Sequence, residues 1–208
     1  MRSRLSFFTG LIAAMLASCA AMGPPVIPPS PNALRIVPVH DWGGTPADAT
    51  KGRTHEIRHI TLHHGGTTFT REKNVAEHLR NLQSWSRREK NWIDIPYHFV
   101  VDLDGKVYEA RDIRFAGDTN TEYDPAGHAL IMVLGNYEEI EPNPAQLAAV
   151  VDTMAMLARR YKLGVETIGS HRDHSKQTVC PGKHLYRFLQ DGSLVEAVSE
   201  RLARPMAR

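Results

Sequence analysis

Ile57-Arg58-His59-Ile60-Thr61-Leu62-His63-His64-Gly65-Gly66 is the stretch on which the fold turns. Its β-prone run from Ile57 to Leu62, interrupted by Arg58 and His59, delivers two histidines into a glycine pair, and so predicts a strand ending in a loop. The period then changes. Between Lys73 and Arg88 the apolar residues Val75, Leu79, Leu82 and Trp85 recur at helical spacing, which predicts a helix with one face packed on a sheet. Tyr97 to Asp102 and Lys106 to Ala110 alternate on either side of Leu103-Asp104-Gly105, a turn signal, and predict a hairpin. Ala129 to Leu134 reads as another buried strand. Asn143 before Pro144, with Gln146 three residues on, caps a second helix carrying the stripe Leu147, Val151, Met154, Leu157 and Tyr161, with Gly164 expected to end it. Ser193 with Glu196 is expected to open a last short helix bearing Leu194, Val198 and Leu202. Strands mixed with covering helices make this an α/β fold in a single domain beginning at about Leu34.

The flanks of that domain speak to location. Of 208 residues, 25 are basic and 23 acidic, a formal charge of +2 that Arg2 and Arg4 alone supply. The remaining body is neutral and lacks the basic excess that binding a phosphate backbone requires, so nucleic acid is not an expected partner. A basic start, an apolar run from Leu5 to Leu16, and Ala17-Ser18-Cys19 have the three-part form of an export signal. Twelve helical residues rise about 18 Å, short of a roughly 30 Å hydrocarbon core, which favours a cleaved segment over a permanent span. Leu16-Ala17-Ser18-Cys19 resembles a bacterial lipobox, with residues 1–18 removed and Cys19 lipidated; an ordinary signal peptide with an incidental cysteine is the alternative. Ala20 after the cysteine resembles an outer-membrane rather than inner-membrane retention signal, so the expected location is the periplasmic face of the outer membrane. Residues 19–33 hold five prolines and read as a tether, which leaves 34–208 for the domain.

Past the leader a single thiol remains, Cys180, with no partner for an internal disulfide in an exported protein. His171 lies nearby in Gly169-Ser170-His171-Arg172-Asp173, with no regular structure expected between them, and His63 ends the first strand. Two imidazoles and a thiolate would leave a tetrahedral zinc with an open fourth position. The alternative is three unrelated residues, with Cys180 buried as a small hydrophobe.

Ile60-Thr61-Leu62-His63-His64, Trp92-Ile93-Asp94-Ile95-Pro96-Tyr97-His98-Phe99, Asp104-Gly105, Leu134-Gly135-Asn136-Tyr137 and His171-Arg172-Asp173 with Cys180-Pro181-Gly182 occur in this order. Together they resemble the zinc N-acetylmuramoyl-L-alanine amidases that share a fold with peptidoglycan recognition proteins and phage amidase-type lysozyme. The resemblance covers roughly residues 55 to 190. It implies a central mixed β-sheet flanked by helices, a substrate groove across one face, and Zn2+ held by His63, His171 and Cys180. It further implies hydrolysis of the amide between N-acetylmuramic acid and L-alanine in peptidoglycan; a module that binds peptidoglycan without cutting it is the alternative.

Departures from the family pattern bear on the catalytic residues. His171 and Cys180 are nine apart where the recognition proteins usually have eight, and Thr178 stands where the phage enzyme has a catalytic lysine. Met132 occupies the strand in which cytoplasmic relatives place a catalytic glutamate. Tyr97 is therefore the retained polar candidate, able to stabilise an oxyanion together with the metal, with Thr178 adding a hydrogen bond. An ordinary half-buried strand tyrosine is the competing reading of Tyr97. His64 is expected on the opposite side of the strand from His63, and His98 inside the body. His174 and His184 are substitutes only if the loop register shifts. Asp173 either orients His171 or caps the loop, and Trp85 and Trp92 are expected in the core.

Overall fold

The computed structural model describes residues 27–29 and 34–204. The leader, Cys19 and most of the proline-rich stretch lie outside the described residues. Ile27, within that stretch, packs against the core.

A six-stranded mixed sheet organises the domain, in the order β1 (Ile36–Val37), β4 (Val107–Glu109), β3 (Phe99–Val101), β5 (His128–Val133), β2 (His59–His64) and β6 (Ile168–Ser170). Only β3 and β4 pair antiparallel, around the expected turn at Leu103-Asp104-Gly105, and the other neighbours run parallel. β2 and β5 are the long central pair, in register from His59 opposite His128 to His64 opposite Val133. The two-residue period of β2 sends Ile60 and Leu62 into one core and Thr61 and His63 to the other face, where they are equally buried. A strand covered on both sides can carry polar residues inward only where a site satisfies them.

Three helices cover the first face. α2 (Pro144–Tyr161) starts with the expected capping box between Asn143 and Gln146 and buries Leu147, Val150, Val151, Met154 and Leu157. Each such side chain contributes about 1.5–3 kcal/mol of burial. α2 ends earlier than Gly164: Lys162 takes the left-handed conformation (φ 55°), and the Leu163 N–H reaches back to the Ala158 carbonyl. Leu163 packs on the core, so the hydrophobic contact that accompanies this closure decides where the helix stops. α4 (Lys183–Gln190), unforeseen in the sequence, inserts Leu185 and Phe188 beside α5 (Ser193–Ala203). Gly192, not Ser193, occupies the N-cap of α5, because the Ser193 hydroxyl is drawn to Asp191 instead.

The second face carries α1 (Val75–Glu89), opened by Asn74, whose side chain accepts the Glu77 N–H. Its most buried positions are Leu79, Gln83 and Ser86, so the buried stripe is rotated from the expected one. Trp85 is 40% exposed and meets the half-buried Trp92 edge to face with ring centres 6.1 Å apart. The expectation of Trp85 as a core residue is thereby corrected: Gln83, bonded to Asp94 and Thr45, takes the inward position. Among the described residues no helix is long and apolar enough to cross a membrane.

Candidate metal centre

His63 and His171 are brought together by strand register. Leu62 of β2 pairs with Ser170 of β6, so the next residue along each parallel strand emerges at the same sheet end. There β6 runs into α3 (His171–His174), a single turn in which Ser170 and Asp173 form a capping box. Asp173 spends its carboxylate on the Ser170 N–H and hydroxyl and on the Tyr186 hydroxyl; it caps α3 and does not touch His171. The ring centres of His63 and His171 are 4.7 Å apart.

Cys180 returns to this point through two main-chain contacts. The Arg172 N–H donates to the Cys180 carbonyl at 3.0 Å, and the His64 N–H donates to Sγ at 3.4 Å. The nine-residue interval from His171 is spanned by α3 and a loop that side chains fold back on itself: Ser175 Oγ accepts from Gln177 N–H, and Thr178 Oγ1 accepts from Cys180 N–H at 3.0 Å. Gly182 lets the loop close, at φ 85° and with the Tyr137 backbone so near that a Cβ would lie 2.3 Å from it.

One ligand atom from each of His63, His171 and Cys180 lies within 4.8 Å of the other two, the one such group among the described residues. His63 Nδ1 is 3.6 Å from Cys180 Sγ. Two ligands sharing a tetrahedral zinc at about 2.05 Å (N) and 2.3 Å (S) would stand about 3.6 Å apart, so the spacing fits that ion. The donor chemistry fits as well. Burial holds the His63 imidazole well below its usual range and His171 down to about 4, which keeps both rings neutral with a lone pair to give. Burial pushes the Cys180 thiol up to about 12, against a smaller lowering by the His64 N–H. Only a cation displacing its proton would make it a thiolate near neutrality.

A cavity of about 240 Å³ opens over this group, lined among others by Tyr97, Thr119, Thr121 and Thr178. Tyr97 is half-buried just ahead of β3, its ring centre 5.0 Å from that of His63, and burial raises its hydroxyl well above the usual phenol range. Its hydroxyl makes no hydrogen bond among the described residues. Met132 sits opposite His63 in the β2–β5 register, and no carboxylate occupies that position. A neighbouring cavity of about 360 Å³, lined by Leu82, Trp85, Trp92, Tyr97 and Met132, extends the opening along α1. Trp85 and Trp92 thus belong to the rim.

The remaining histidines stay apart from the triad. His64 turns to the opposite face, where Nδ1 accepts the Tyr137 N–H. His98 is fully buried: Nδ1 accepts the Leu130 N–H and Nε2–H donates to the Phe115 carbonyl. His174 joins His59 and His128 in a ring cluster, and His184 pairs with Glu141, so neither substitutes as a ligand. Among the neighbours of His171, the sequence gives no sign of Thr121, whose Oγ1 is 2.8 Å from His171 Nε2, or of Tyr123, whose ring centre is 5.1 Å from that of His171. Both lie in the aperiodic segment between β4 and β5, which offers no pattern to read.

With this geometry in place, likeness to known proteins becomes decisive. The profile of the N-acetylmuramoyl-L-alanine amidase family matches residues 53–183, a span that includes all three converging residues. The chain belongs to this family. As a family member it is 28% identical over 158 residues to peptidoglycan recognition protein 1 of Mus musculus, across 74% of this chain and 86% of that protein. Human PGRP-IβC, solved in complex with glycosamyl muramyl pentapeptide, superposes with a TM-score of 0.65 at 25% identity, over 74% of this chain and 94% of the other. The N-acetylmuramoyl-L-alanine amidase LysC of Clostridium intestinale shares the fold, with a TM-score of 0.61 at 22% identity over 78% and 97% of the two chains. The amidase-family sheet flanked by helices is therefore the architecture of this chain, and its role concerns peptidoglycan.

Proposed function

We propose that this amidase-family member cuts the amide bond between N-acetylmuramic acid and L-alanine in peptidoglycan, with zinc held by His63, His171 and Cys180. The observation that carries the reading is the convergence of two neutral imidazoles and one thiol on the floor of an open cavity, at the spacing of a tetrahedral ion. A zinc ion bound there would supply a Lewis acid and bring the pKa of a coordinated water toward about 7.

The chain's own residues do the rest. His64 N–H and the Thr178 turn fix the Cys180 sulfur and its loop. Tyr97, whose raised hydroxyl pKa keeps it protonated, stands beside His63 as a hydrogen-bond donor for the oxygen that gains charge during attack on the lactyl amide. Thr178 Oγ1 already accepts a main-chain N–H, and its own proton is left to donate into the cavity. Trp85 of α1 and Trp92 of the loop that follows give the substrate an apolar wall. The reading includes export and lipid anchoring through Cys19, which would put the enzyme next to its substrate.

The test is incubation with purified sacculi, with and without a chelator, and mass spectrometry of the released fragments. Free stem peptides with an unblocked L-alanine amine, abolished by chelator and restored by zinc, are the expected result. Sacculi bound but left intact would replace the enzyme with a non-catalytic binding module.

A further inference from the structure

The His171 ring is held by threonines of the cavity wall. Its Nε2 lies 2.8 Å from Thr121 Oγ1 and 3.4 Å from Thr119 Oγ1. The two hydroxyls are themselves 2.8 Å apart, and Thr119 Oγ1 also accepts the Thr121 N–H at 3.1 Å. With Nε2 occupied in this way, Nδ1 is the nitrogen left free for an ion shared with His63 and Cys180. His63 likewise presents Nδ1 to the sulfur.

The segment that delivers Thr121 has no regular secondary structure, so something else must set its position. Beneath it lies Arg111, 1% exposed, whose guanidinium donates to four acceptors. Nε–H goes to the Ile95 carbonyl at 2.8 Å and Nη2–H to the Asp94 carbonyl at 2.9 Å, just ahead of Tyr97. Nη1–H goes to the Ala116 carbonyl and Nη2–H to the Asp118 carboxylate, just ahead of Thr119. The Arg111 main-chain N–H donates to the Tyr97 carbonyl at 3.0 Å. Gly117 lets the two walls touch, since a Cβ there would lie 2.6 Å from the Pro96 carbonyl oxygen. Only a planar fork with five donors can serve both walls at once.

We infer that Thr121 is a positioning residue of the metal centre, which holds His171 in the Nε2–H tautomer, and that Arg111 with Asp118 fixes the strap 116–121 that carries it. In that tautomer Nε2–H donates to Thr121 Oγ1, and the Thr121 O–H in turn donates to Thr119 Oγ1. Outer-sphere partners of this kind set ring orientation and tautomer and are worth about 10- to 100-fold in metal affinity.

The inference rests on the zinc assignment proposed above, and its test separates the two. Zinc affinity of the full chain is measured by chelator competition for wild type, Thr121→Val, Thr121→Ser, Asp118→Ala and the Asp118→Ala/Thr121→Val double variant. The His171 tautomer of the metal-free protein is read by long-range 15N–1H NMR. Thr121→Val should lose about 10- to 100-fold in zinc affinity and the single Nε2–H tautomer, whereas Thr121→Ser should restore both. Asp118→Ala should also lose affinity, with the double variant no worse than Thr121→Val, because both substitutions act through one bond. Wild-type affinity in Thr121→Val, or failure of Thr121→Ser to rescue, overturns the role of Thr121. Losses that add, or no loss in Asp118→Ala, overturn the strap, since a simple charge effect of Asp118 would add. A wild-type chain that takes up no zinc overturns the metal assignment and this inference with it.

Discussion

Acidification should destabilise this domain through His98, and the size of the effect follows from its surroundings. The imidazole is fully buried, with both nitrogens committed: Nδ1 accepts the Leu130 N–H at 2.9 Å and Nε2–H donates to the Phe115 carbonyl at 3.0 Å. A second ring proton would meet the Leu130 N–H head on. Burial, reinforced by the charge of Arg111, holds the folded-state pKa down to about 3 from an ordinary 6.5. A histidine depressed in this way contributes stability that is whole above pH 6.5 and is lost as pH falls toward 3, because only the unfolded chain takes up the proton. From 6.5 down to 5 is about 1.5 pH units at 1.36 kcal/mol each, or about 2 kcal/mol of lost stability between pH 7 and pH 5. Urea denaturation of wild type and His98→Gln at the two pH values isolates this share, since the other buried histidines are common to both proteins. Wild type should lose about 2 kcal/mol more than the variant on going to pH 5. Equal losses, or a His98 ring resonance that titrates near pH 6 in the folded protein, would refute the reasoning.

Three further outcomes are expected. Cys180→Ser should lose zinc and amidase activity together; stoichiometric zinc in the variant by atomic absorption would remove the sulfur from the ligand set. Tyr97→Phe should keep zinc while kcat on a muramyl-peptide substrate falls by about 10²- to 10³-fold, the size of losing one oxyanion donor; an unchanged kcat removes Tyr97 from the chemistry. Gly182→Ala puts a Cβ 2.3 Å from the Tyr137 backbone at a left-handed φ, which should cost about 1–3 kcal/mol and shift Cys180; a variant with wild-type melting temperature and zinc affinity would contradict the close approach.

What could be read from the chain alone was local or chemical in kind. The hairpin around Asp104-Gly105, the Asn143–Gln146 capping box and the α2 stripe depend on residues a few positions apart, and each stands in the structure as expected. Residue type and the order of the motifs point to His63, His171 and Cys180 but do not specify how they meet. Tertiary structure decided the rest. Parallel register between β2 and β6 puts His63 beside His171 across more than a hundred residues of chain, a pairing that no local pattern encodes. Competition for inward positions turned Trp85 to the rim once Gln83 found Asp94, and a hydrophobic contact of Leu163 ended α2 before Gly164. Thr121 reaches His171 only because a buried arginine fixes a loop without periodicity. Short-range periodicity survives in a one-dimensional string because each residue's neighbours are its sequence neighbours. A site built from β2, α3 and three loops exists only once long-range packing has chosen which of them touch.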